Sequence, residues 1–174
     1  GLEIAKEMKA RERGFINYTA RMKMVLVSSS GDEKVRLLRV KTLEMDGDGD
    51  KTLAIFDSPA DVKGTAFLSH SHVSRADDQW LFLPMLKRVK RIAPANQIAP
   101  FMGSEFSYED LASAEVGKFT YDYLGDEVLD GRPCFKLERI PVSEYSGYSR
   151  QVVWVDKERY VPLRTDYYDR KGRL

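Results

Sequence analysis

Hydrophobic and polar positions change rhythm early in the chain. Leu2, Ile4, Ala5, Met8 and Phe15, interleaved with Glu3, Lys6, Glu7, Lys9, Arg11, Glu12 and Arg13, follow the 3.6-residue period of an amphipathic helix ending near Gly14. From Tyr18 the period is two: Tyr18, Ala20, Met22, Met24 and Leu26 alternate with Thr19, Arg21, Lys23, Val25 and Val27, which predicts a long strand. A second strand from Val35 to Met45 follows Ser30-Gly31-Asp32. A third, from Thr52 to Phe56, follows Asp46-Gly47-Asp48-Gly49-Asp50, and both connections are rich in turn formers. The pattern continues from Thr65 to Val73, Gln79 to Leu83 and Lys87 to Ile92, so consecutive hairpins make a meander. Between Ala93 and Gly117 the rhythm breaks at Pro94, Pro100 and Gly103, and Ser107 is placed to cap one or two helical turns, as in a lid or crossover. Strands resume at Lys118 to Leu124, Glu127 to Leu129, Pro133 to Ile140, Arg150 to Asp156 and Val161 to Tyr168, with Asp130-Gly131 a strong hairpin signal. The last turn, Asp169 to Gly172, leads toward a further strand, so the natural chain is expected to continue.

Several strands carry apolar residues on both faces: Leu53 and Ile55 against Ala54 and Phe56, Trp80 and Phe82 against Leu81 and Leu83. A sheet with one wet face has no use for that pattern, and too few helical residues exist to cover so many strands. The expectation is a mainly β fold in one domain over residues 1–174, an antiparallel open (half) β-barrel of about ten or more strands with a small α-helical lid.

Composition narrows the chemistry. With 28 Lys and Arg against 27 Asp and Glu, no global field draws the protein to nucleic acid or anionic membrane. The single cysteine, Cys134, excludes an internal disulfide and any multi-cysteine metal site, and its place between Pro133 and Phe135 marks it as a core residue. No apolar run approaches the roughly 20 residues that span a bilayer. The charged opening, Gly1 to Gly14, is not signal-like, which fits the mature form of an exported chain.

Three groups of residues call for a choice between chemistries. His70 and His72, the only histidines, stand at i and i+2 on one strand and share a face, but with no cysteine nearby and no carboxylate at a predictable spacing the ligand set is incomplete, and no metal is expected. The run Asp46 to Asp50 has the flavour of a calcium loop, yet Lys51 occupies the position of the required glycine and Asp57 that of the final glutamate, so it reads as a solvated turn. Lys87, Arg88, Lys90 and Arg91 form the one basic cluster. Strand alternation splits it between two sides, which disfavours nucleic acid and leaves contact with a lipid headgroup or an acidic partner. No Gly-x-Ser-x-Gly elbow is present and neither histidine has a serine or cysteine partner, so no catalytic residues and no enzyme are expected.

The stretch Asp78-Gln79-Trp80-Leu81-Phe82-Leu83-Pro84-Met85-Leu86-Lys87-Arg88-Val89-Lys90-Arg91-Ile92, followed by Phe101-Met102-Gly103-Ser104-Glu105-Phe106-Ser107-Tyr108-Glu109-Asp110-Leu111, resembles a bacterial family of outer-membrane lipoprotein-sorting proteins related to the periplasmic carrier LolA. Phe56 to Thr65, Val153 to Asp156 and Pro162 to Arg164 extend the likeness over nearly the whole chain. The resemblance implies a LolA-like barrel with a helical lid over an apolar cavity. It also implies a periplasmic location, without cofactor, for a carrier that binds lipid or lipoprotein acyl chains and moves them toward the outer membrane. Its partners would be an inner-membrane exporter and an outer-membrane acceptor. Burying one methylene is worth about 0.8 kcal/mol, so an acyl chain needs no polar contact to be held. The lining is expected from the group Met22, Met24, Trp80, Leu81, Phe82, Leu83, Met85, Phe101, Met102 and Phe106, closed by helix Leu2 to Arg13 and segment Pro94 to Ala112. The alternatives are a lipid-binding accessory module of an envelope exporter and an envelope hydrolase using His70 or His72.

Overall fold

A computed structural model describes all 174 residues. It contains one α-helix, α1 (Leu2–Glu12), and ten strands: β1 (Asn17–Val27), β2 (Glu33–Leu43), β3 (Lys51–Ser58), β4 (Ala66–His70), β5 (Asp78–Leu83), β6 (Arg88–Ile92), β7 (Phe119–Leu129), β8 (Arg132–Pro141), β9 (Tyr148–Asp156) and β10 (Pro162–Asp169). Every pairing is antiparallel. The mainly β class is as the sequence predicts, but the ladder is not continuous. β1 to β6 form a six-stranded sheet in chain order, and β7 to β10 a separate four-stranded sheet. The break falls after β6, where Pro94 and Pro100 lack the N–H groups that would extend a ladder. The chain divides into two compact units at the same place, Phe15–Ser113 and Gly1–Gly14 with Ala114–Leu174.

In the unit Phe15–Ser113, direct cross-strand partners fix two faces. One carries Leu38, Phe56, Phe67 and Leu81, the other Leu53, Leu68 and Trp80. The first is a packed core: Leu38, Phe56, Phe67, Leu81 and Ile92 are buried with Phe101 and Tyr108 of the segment after β6. Phe101 sits against Phe56, Phe67 and Tyr108 at ring separations of 5.9, 5.3 and 5.5 Å, so this segment is a plug of aromatic rings. It holds no α-helix, only three-residue 3-10 turns at Pro94–Asn96, Phe101–Gly103 and Glu109–Leu111. The last is set by the expected Ser107 cap: Ser107 Oγ accepts from the Asp110 N–H at 3.3 Å, while Asp110 Oδ2 accepts from the Ser107 N–H at 2.7 Å. The expected α-helical lid is therefore replaced by extended chain that is hydrogen-bonded at intervals.

In the other unit, α1 lays Ile4 and Met8 on Leu137, Val153 and Val155 of β8 and β9. Lys9 ties the helix to the buried Glu115 at 3.1 Å. The opposite face of that sheet packs Cys134, Val152 and Trp154. Asp130 and Gly131 both take positive φ, 47° and 79°, as a type I′ hairpin requires. The strands expected at Lys118 to Leu124 and Glu127 to Leu129 are one, β7: Gly125 takes φ +119° where the register with β8 shifts, and the glycine allows a bulge through which the strand continues.

Replacing Phe101, 1% exposed, by alanine should cost about 3–5 kcal/mol in urea unfolding. The same change at Phe106, 58% exposed in the same segment, should stay within about 0.5 kcal/mol.

Candidate functional site

The second face of the six-stranded sheet supplies the site. Leu53 of β3, Ala66 and Leu68 of β4, Trp80 and Phe82 of β5 and Val89 of β6 line an open concavity of about 270 Å³, just below the roughly 300–1,000 Å³ of typical ligand pockets. No charged side chain lines it. Alternation explains its making: Leu68 opposes Trp80, Ala66 opposes Phe82, and Phe82 opposes Val89, so four neighbouring strands present apolar groups side by side. The expected closure by Pro94 to Ala112 does not occur. That segment covers the opposite face, because Phe101 and Tyr108 are already committed to the core there. Helix α1 belongs to the other unit and packs on β8 and β9.

Of the residues expected to bind lipid, Trp80 and Phe82 stand in the concavity. Leu81 and Phe101 are buried in the core of the other face, with Met24, Leu83 and Met102 packed against it. Met22, Met85 and Phe106 are exposed. Leu53, Ala66, Leu68 and Val89 were not singled out from sequence, although their period-two placement opposite Trp80 and Phe82 was the available signal. In the basic cluster, Lys87 precedes β6 with φ 48°, while Arg88, Lys90 and Arg91 are exposed on the strand. Register puts Arg91 opposite Trp80 and Lys90 opposite Leu81, so the cluster divides between the faces as alternation requires.

At one end the apolar stripe becomes polar. Two residues beyond Leu68 on the same face stands His70, and its partner across the ladder is Asp78, two residues before Trp80. His72 follows the strand end and is 3% exposed. Its Nδ1 lies 2.6 Å from Asp48 Oδ2, and its Nε2 3.2 Å from Asp78 Oδ2. The two imidazole rings are 4.0 Å apart. Asp48 comes from the turn before β3, held by the Val73 N–H, which donates to its Oδ1 at 2.9 Å. The approach of that turn depends on Gly49: a Cβ there would meet the Ser71 carbonyl oxygen at 2.6 Å.

These contacts set the charge states. The Val73 N–H and then His72 hold the Asp48 carboxyl well below the usual carboxylate range. Arg91 and then Arg75 do the same for Asp78. Burial, followed by the neighbouring His72 and Lys51, pushes the His70 imidazole down.

Comparison with known proteins decides the family. The chain is 56% identical, at a TM-score of 0.98 over all of its length and 74% of the other chain, to an outer membrane lipoprotein-sorting protein domain from Vibrio parahaemolyticus. This protein belongs to the outer-membrane lipoprotein-sorting family. A DUF1329 family protein from Desulfovibrio piger is 34% identical, with a TM-score of 0.91 over 99% of this chain and 74% of that one. A LolA superfamily protein from Nitrosomonas europaea, 20% identical with a TM-score of 0.71 over 99% of this chain and 72% of that one, shares the fold. Residues 48–174 match a family model described as an uncharacterized protein, and no curated protein matches. No helix of this lipoprotein-sorting family member is long and apolar enough to cross a membrane.

Two outcomes follow from this geometry. Gly49→Ala should destabilise the protein by about 1–3 kcal/mol, since the added methyl would run into the Ser71 carbonyl group and Cβ; chemical denaturation reads it. The lowered Asp48 and Asp78 carboxyls stabilise the fold fully above the unfolded carboxylate pKa of about 3.9, and that contribution is lost as pH falls toward their folded values. Melting temperature should accordingly drop more between about pH 5 and about pH 3 in the wild type than in Asp78→Asn.

Proposed function

We propose that this protein is a periplasmic carrier that binds the acyl chains of a lipoprotein or other lipid and moves them toward the outer membrane, acting as one lipid-binding domain. The observation that carries the reading is the concavity between Leu53, Ala66, Leu68, Trp80, Phe82 and Val89, an apolar recess left open on a face that ordinary folding would cover. Membership in the lipoprotein-sorting family supports the choice of cargo. The site offers no nucleophile, so its chemistry is burial: each methylene transferred from water gains about 0.8 kcal/mol. Asp78 and Arg91 beside the apolar stripe put charge where a lipid's polar end would emerge, and Arg88 and Lys90 add positive charge nearby on the other face. Inner-membrane exporter and outer-membrane acceptor partners belong to the same proposal.

Extraction of the purified protein followed by mass spectrometry should recover acylated material. An environment-sensitive fluorescent fatty acid should bind and be displaced by lipid. Leu68→Lys places a charge in the recess at a side chain already 37% exposed, and should weaken uptake by about tenfold, or ~1.4 kcal/mol, with little change in melting temperature. A folded wild-type protein that takes up no such probe overturns the carrier reading.

A further inference from the structure

We propose that Asp48, His70 and His72 form a binding site for one divalent transition-metal cation of the zinc class. The donor atoms lie within 4.8 Å of one another. Asp48 Oδ2 is 2.6 Å from His72 Nδ1 and 3.6 Å from His70 Nε2. Zinc takes imidazole nitrogen at about 2.0–2.1 Å and carboxylate oxygen at about 2.0–2.2 Å, which sets tetrahedral ligands roughly 3.3 Å apart. The observed separations bracket that value, so small side-chain rotations admit an ion.

Two features independent of the spacing support a cation. His70 Nε2 is a buried ring nitrogen without a hydrogen-bond partner, and a desolvated polar atom left unmatched is destabilising until something binds it. His72 is oriented from behind: its Nε2 meets Asp78 Oδ2 at 3.2 Å, and Asp78 is itself gripped by Arg75 at 2.8 Å and Arg91 at 2.5 Å. This is the carboxylate–histidine–metal arrangement, in which an outer carboxylate fixes the ring and raises the basicity of the ligating nitrogen. On binding, the ion sits between His72 Nδ1 and Asp48 Oδ2, and their 2.6 Å contact opens to admit it. Asp48 supplies negative charge to the ion, and its partly exposed side chain leaves a fourth position open to water or another oxygen donor. The site is independent of the apolar recess, and neither proposal requires the other.

The test uses untagged, chelator-stripped protein titrated with Zn²⁺ by calorimetry and with Co²⁺ by its visible absorption. These two histidines are the only ones in the chain and Cys134 is fully buried, so no other imidazole or thiol competes. The wild type should bind one ion per chain with a micromolar or tighter dissociation constant and show tetrahedral Co²⁺ bands. His70→Ala, at a partly exposed side chain, should weaken binding by more than about 100-fold, and Asp78→Asn by about 10–100-fold through loss of the outer carboxylate. His72→Ala risks misfolding because the ring is buried, so the decision rests on His70→Ala with its melting curve recorded. Failure of the wild type to bind either ion, or His70→Ala binding as tightly as the wild type, overturns the site.

Discussion

Everything distinctive about the unit Phe15–Ser113 follows from a mismatch between apolar faces and available cover. Its sheet is apolar on both sides across β3, β4 and β5, yet the segment after β6 is long enough to shield one side only. Phe101 and Tyr108 take the side of Phe56 and Phe67, where aromatic contacts at 5.3–5.9 Å give dense packing. The other side keeps Leu53, Leu68, Trp80 and Phe82 with no comparable partner from the same unit. Exposed apolar area of that kind is costly in a protein that must stay dispersed in water, and its persistence is understood when the area has a ligand of its own.

Much of this was legible in the sequence because it is local. The two-residue alternation from Tyr18 onward, the Asp130-Gly131 turn and the Ser107 cap each depend on a few neighbouring residues, and each stands in the structure where the sequence put it. The two strands expected at Lys118 to Leu124 and Glu127 to Leu129 prove to be one, because a glycine in a strand pattern serves equally as a stop or a bulge and only pairing with β8 chooses between them. The separation into two sheets was hidden for the same reason: ladder continuity is a property of strands far apart in the chain.

The candidate site divides along that line. Trp80 and Phe82 were found because they sit in one conspicuous run, whereas Leu53 and Val89 join them only through registers spanning four strands. The polar cluster was less legible still. Asp48 lies more than twenty residues before His70, and the packing of Gly49 on Ser71, with the Val73 N–H donating to the carboxylate, brings it to the rings. A turn that reads as solvated filler thus becomes, through one missing side chain, the holder of a buried contact.

The margin of the six-stranded sheet has a consequence for how copies of the protein behave toward one another. β6 is an edge strand whose Arg88, Lys90 and Arg91 are all exposed. Were two copies to zip together antiparallel along that edge in full register, Lys90 would face its own counterpart at the centre of the ladder, and like charges directly opposed are repulsive. A protein that displays greasy surface, and that would otherwise be tempted to polymerise through it, carries at its open margin a charge pattern that discourages fibre growth.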